Sequence, residues 1–144
     1  MKIKEKLALG IGIFFAMIVL LITLSVVFIN RLSDDTKKIL VANYNTIDYS
    51  RKMLNALNNG ITDSGQSAIF HENLSSQQKN ITEPGEQELT DKLAMDFSKL
   101  QKSSFDSSLL RDTRSDISDI ILLNMQAIQR KSAIAGNTAD KAIF

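Results

Sequence analysis

From Leu7 to Ile29 the chain reads LALGIGIFFAMIVLLITLSVVFI, about 23 residues without a charged side chain. As a helix rising about 1.5 Å per residue, such a run is long enough to cross a bilayer with some tilt. The mean hydropathy of the whole chain, -0.04, hides this because it averages the apolar run with a polar remainder. Residues 1–6, MKIKEK, set Lys2, Lys4 and Lys6 against Glu5. Positive charge beside a span holds that side in the cytoplasm. The expectation is a cytoplasmic N-terminus at 1–6, a transmembrane helix at 7–29 in the inner (cell) membrane, and export of the residues from Asn30 onward. A cleaved signal peptide is the competing reading. Its apolar core runs about 7–15 residues to a small-x-small site, whereas this run is longer and its end, SVVFINRL, has no such site. An uncleaved anchor is therefore expected. Gly10 and Gly12 stand as G-x-G rather than G-x-x-x-G and specify no dimer face.

Beyond Asn30 the chain alternates apolar and polar residues at helical spacing. Thr36, Ile39, Asn43, Ile47, Ser50, Leu54, Leu57 and Ile61 succeed Leu32 in steps of three and four, one face of a helix. No proline or glycine interrupts Asn30 to Asn59, so the membrane helix is expected to continue outward as one rod. Asn58-Asn59-Gly60 has the residues of a helix C-terminal cap, and Asp63-Ser64-Gly65-Gln66 resembles a capping box. A second helix is expected over 64–80, with Ile69, Phe70 and Leu74 as its apolar face. The single proline, Pro84, precedes Gly85 in NITEPGEQELT. Proline suits the first position of a helix, and Glu83, Glu86 and Glu88 suit its first turn. The third helix is thus expected at 84–103, with Leu89, Leu93, Phe97 and Leu100 inward. Asp106 or Ser107 then opens a fourth helix over 107–142, whose stripe runs Leu110, Ile117, Ile121, Asn124, Ile128, Ser132, Ala135, Ala139 and Ala142.

Four amphipathic helices on short connections predict an all-α chain. Its transmembrane helix would continue into an antiparallel four-helix-bundle domain at 30–142, with helices at 30–59, 64–80, 84–103 and 107–142. The outer helices reach roughly 43 and 50 Å and the inner pair about 25–30 Å, which places the TEPG turn above the membrane. The closing KAIF is apolar, and 143–144 are read as the start of a second transmembrane helix. The sequence after Phe144 would be the most informative addition.

The residue inventory argues against several functions. One histidine, no cysteine and a net charge of +1 exclude thiol chemistry, disulfides and zinc-thiolate sites and leave no basic stripe for nucleic acid. No phosphate loop, G-x-S-x-G or H-E-x-x-H occurs, and His71 has no partner at metal or catalytic spacing. No cofactor and no enzyme are expected in this chain. Asn43 and Asn124 interrupt apolar stripes, which fixes helix register or oligomeric state or offers contacts to a ligand. Arg111 and Arg114 share a face and suit an anionic ligand, or else pair with Asp112 and Asp116. The turn motif Asn80, Thr82, Glu83, Pro84, Gly85 and Glu86 reads first as architecture, with a ligand role for Glu83 or Glu86 as the second reading. Asn73-Leu74-Ser75 and Asn80-Ile81-Thr82 are formal glycosylation sequons, a pattern that arises often by chance. The small residues at Ser132, Ala135, Ala139 and Ala142 admit a close neighbouring helix, either to slide against or simply to pack.

Taken in order, MKIKEKLALGIG, RLSDDTKKIL, NITEPGEQELTDKL and SDIILLNMQAIQRKS resemble the N-terminal region of bacterial membrane-bound sensor histidine kinases. The closest type is the KinB-like sensor domain of Bacteroidetes and pseudomonads, and NITEPGE is its most specific element. The resemblance implies an extracytoplasmic helical bundle between two spanning helices, and then a HAMP-type linker, often a PAS domain, and kinase modules. It implies a homodimer paired along the first and last helices, a periplasmic ligand or protein as signal, and a response regulator reached only through the absent kinase region. His71 matches no phosphoacceptor motif. Two other expectations stand beside it: the ligand-binding region of a chemoreceptor, and a membrane-anchored helical scaffold or adaptor.

Overall fold

The computed structural model describes residues 3–102 and 106–141, and side chains at all of these except Glu5 and 135–141. The expected second span at 143–144, Lys2, and the stripe positions Ala135, Ala139 and Ala142 lie outside this description. The described residues are all-α, with four helices: α1 Ile3–Gly60, α2 Ser64–Gln78, α3 Glu86–Lys102 and α4 Ser107–Lys141. The chain divides into two compact units, residues 1–38 and residues 39–144.

The first unit is the opening part of α1. Every described side chain from Leu7 to Ile29 is exposed, and α1 is the one helix among the described residues long and apolar enough to cross a membrane by length and composition. Its two hydroxyls within the apolar run are already satisfied. Thr23 Oγ1 donates to the Val19 carbonyl and Ser25 Oγ to the Leu21 carbonyl, both at 2.8 Å. Turning a hydroxyl onto the preceding turn removes its need for an outside partner.

The second unit holds the core. Met53, Ala56 and Leu57 from α1, Phe70 and Leu74 from α2, Leu93, Phe97 and Leu100 from α3, and Ile117 and Ile120 from α4 form one buried cluster. Phe70 and Phe97 stack with ring centroids 3.9 Å apart and planes at 17°, a favourable aromatic pairing beyond its buried area.

Local chemistry sets the helix ends. Gly60 takes φ 102, open to glycine but strained for other residues, and its carbonyl accepts from Asp63 N at 3.0 Å. Asp63 caps α2, its carboxylate accepting from Gln66 N at 3.0 Å. Asp106 does the same for α4, accepting from Ser108 N at 2.8 Å. The start of α3 differs from the sequence expectation. Pro84 is not its first residue: Glu83 O accepts from Glu86 N at 3.1 Å, and Gly85 has φ 85. Proline second and a positive-φ glycine third make a type II turn, so the helix begins two residues later, at Glu86. The buried stripe of α1 is also rotated slightly, running Asn43, Thr46, Ser50, Met53 and Leu57. Thr46 and Met53 replace Ile47 and Leu54 because Thr46 has a polar partner inside.

Candidate functional site

That partner is Glu86. It stands first in α3, directly after the turn, and is 0% exposed. Burial pushes its carboxyl pKa up, but the donors around it more than offset this and hold the carboxyl below its ordinary value. Oε2 accepts from the backbone N–H groups of Thr82 at 2.8 Å and Glu83 at 3.0 Å. Oε1 accepts from Gln77 Nε2 and Asn124 Nδ2, each at 2.9 Å, and from Thr46 Oγ1 at 3.2 Å. One carboxylate therefore joins α1, α2, α3, α4 and the turn.

A second carboxylate extends the network. Glu83, also buried, accepts from Asn43 Nδ2 at 2.9 Å and from Lys131 Nζ, and Arg130 stands 3.8 Å from its other oxygen. Thr82 Oγ1 donates to Asn43 Oδ1 at 2.7 Å. Asn80 Nδ2 donates to the Ala42 carbonyl at 2.7 Å and to Thr46 Oγ1 at 3.0 Å. The turn is thereby fastened to α1 through Asn43, Thr46 and Ala42, and to α4 through Asn124 and Lys131.

All six residues of the turn motif thus lie in or beside one polar cluster, and Asn43 and Asn124 enter it from either side. Arg111 and Arg114 take no part in it. Arg111 is exposed, and Arg114 donates to Asn58 Oδ1 at 2.9 Å. The alternative pairing of these arginines with Asp116 is not made; Asp116 bonds to Lys92 of α3 instead. His71 is exposed, as is Ser132.

Sequence reasoning missed Thr46, Gln77 and Lys131. Gln77 and Thr46 carried little signal, since Gln77 stands among polar residues and Thr46 beside the more apolar Ile47. Lys131 carried none, because a lysine on a long helix is ordinarily solvated.

The cluster's chemistry is that of buried anions well supplied with donors. Among the described residues no group of three or more histidine or acidic side chains is placed to hold a metal. A separate open cavity of about 420 Å³ lies between the start of α2 and the end of α3, lined by Ile61, Thr62, Ser64, Ser67, Leu100, Gln101 and Lys102; none of the candidate residues lines it. No protein-family model, curated protein or solved structure matches the chain.

Proposed function

We propose that this chain is the signal-input module of a bacterial sensor histidine kinase, anchored in the inner membrane with its N-terminus cytoplasmic. Residues 39–141 act as an antiparallel four-helix bundle on the periplasmic side, and the module works as a homodimer paired along α1 and α4. The chain performs no catalysis and needs no cofactor. Its output reaches a response regulator only through kinase modules beyond this sequence.

One observation carries the reading: the same continuous helix, α1, holds both the exposed apolar run and the residues Asn43 and Thr46 that bind the Glu83–Glu86 turn. A rearrangement of the polar cluster must move α1 or break its bonds to Asn43 and Thr46. Antiparallel packing is supported by two sets of bonds. Thr46, Gln77, Glu86 and Asn124 meet at one level, while Arg114–Asn58 and Gln101–Ser67 meet at another. A buried polar layer whose donors converge on one carboxylate favours one register and makes alternatives discrete rather than continuous. That is the property a two-state transmitter requires, provided its signal binds the two packings unequally.

The test is a chimera in lipid nanodiscs, with residues 1–144 joined through a spanning helix to the linker and kinase of a characterised sensor histidine kinase. Substituting Glu86→Gln or Lys131→Met should shift autophosphorylation several-fold in a protein that retains its helicity. Unchanged output in both folded variants, or labelling of a cysteine at Gln87 from the cytoplasmic side only, would reject the reading and favour an anchored scaffold.

A further inference from the structure

We propose that Asp96 and Asp116 form a carboxyl–carboxylate pair that takes up one proton at the seam between α3 and α4, with Lys92 as its counter-ion.

The two aspartates sit among core residues. Asp96 lies beside Phe97 on α3 and is 7% exposed, and Asp116 lies beside Ile117 on α4 and is 2% exposed. Their surroundings are unequal. Asp96 receives two ammonium groups, Lys99 Nζ at 2.7 Å and Lys92 Nζ at 3.2 Å. Asp116 receives only Lys92, on Oδ1. Its Oδ2 is buried and has no hydrogen-bond partner, and Lys92 Nζ, bonded to both side chains, draws its carboxyl towards that of Asp96. Two ionised carboxylates held on one ammonium repel, and neither can donate to the other. A proton on Asp116 cures both faults, because the acid then donates to Asp96 and leaves no orphaned oxygen. Burial pushes the Asp116 pKa up, with the Asp96 charge adding to it and Lys92 opposing. For Asp96, the Lys99 ammonium is the largest influence and the carboxyl is held down. The proton therefore belongs to Asp116. It comes from bulk water, and no other bond is made or broken.

The remaining charges near the seam do not compete for it. On α4, Asp112 and Asp119 are exposed on the turns either side of Asp116. On α1, Asp48 is taken by Arg51 and Lys52. On α2, His71 and Glu72 are exposed.

Such a pair makes mild acidity a candidate input for the module. That biological use rests on the sensor reading above, whereas the titration itself does not. The experiment is carboxyl carbon NMR on the full chain in micelles, labelled at aspartate Cγ and titrated from roughly pH 8 to pH 3. One aspartate is expected to titrate above the ordinary value of 3.8. That signal should vanish in Asp116→Asn, move down in Asp96→Asn, and move further up in Lys92→Met. Should Asp116→Asn fail to fold, the opposite shifts in the other two variants decide the assignment. The proposal is overturned if every aspartate titrates at or below the ordinary value. It is equally overturned if the raised signal survives in Asp116→Asn or ignores Asp96→Asn. A raised pair in a chimera whose kinase output ignores pH would retire acidity as the signal while leaving the pair intact.

Discussion

Replacing Glu86 with alanine removes the acceptor of five hydrogen bonds at once, from Thr46, Gln77, Asn124 and the Thr82 and Glu83 amides. The cost is set by which donors find another partner. Asn124 Nδ2 also donates to the Ile120 carbonyl at 3.0 Å, and exposed Thr82 can turn its N–H to water. The Thr46 hydroxyl, on a helix, can turn back to the carbonyl one turn earlier, whereas Gln77 Nε2 keeps only a 3.5 Å approach to Thr90 Oγ1 and the Glu83 amide keeps nothing. Two buried donors orphaned at about 1–3 kcal/mol each give a loss of about 4 kcal/mol, within the range for breaking a buried charged network from one side. Glu86→Gln should cost about half as much. Its carboxamide oxygen can hold the two backbone N–H groups, while its NH₂ meets Gln77, whose Oε1 has no partner at present and can swing in by an amide flip.

Urea unfolding of the full chain in nanodiscs, monitored by far-UV circular dichroism, measures both losses. The apolar run keeps its helix in lipid, so the transition reports the other unit. At about 4–8 °C per kcal/mol for a domain near 100 residues, Glu86→Ala should lower the thermal midpoint by about 20 °C. A loss below about 0.5 kcal/mol, the level of an ordinary surface change, would refute the hub. So would Glu86→Gln costing as much as Glu86→Ala, since counting orphaned donors would then be the wrong arithmetic.

Phe97→Ala should destabilise by about 3–5 kcal/mol, because Phe97 is 2% exposed and stacked on Phe70; the same urea transition reads it. Gly85→Ala should cost about 1 kcal/mol from backbone strain alone, since φ is 85 and an added Cβ meets nothing within 4 Å. Arg111→Ala, at an exposed side chain outside the network, should stay within about 0.5 kcal/mol. The pH dependence should carry two opposite slopes. Glu86 has a depressed pKa, so its contribution is present above the ordinary 4.5 and is lost as pH falls through the folded value. Asp116 has a raised pKa, so its contribution is full below 3.8 and is lost as pH rises through the folded value. Urea midpoints against pH should therefore show a shallower acid-side fall in Glu86→Gln, with Asp48, Asp96 and Asp106 supplying the rest, and a shallower fall above the Asp116 pKa in Asp116→Asn.

Period and punctuation made the helices legible, because they arise from local rules. Asp63, Asp106 and Gly60 each do what their side chain, or its absence, dictates within four residues of chain. The turn was half legible: Pro84 and Gly85 announced a reversal, but whether proline opens the helix or the turn depends on the φ of the next residue. The polar interior was least legible, and the reason is physical. A helical stripe in steps of three and four has two neighbouring solutions. Hydrophobicity alone chooses Ile47 over Thr46 and cannot separate Ile121 from Ile120, yet what fixes the rotation of α1 is a hydroxyl that must reach a carboxylate forty residues away. Asp116 shows the same limit, since an aspartate between Ser115 and Ile117 looks solvated until Lys92 arrives from another helix. Asn43 and Asn124 were visible because they broke an apolar pattern, whereas Gln77 and Asp116 stood among polar residues and broke none. The polar residues that can be found from one sequence are therefore those surrounded by apolar ones. The others become visible only once a second helix supplies the charge that holds them.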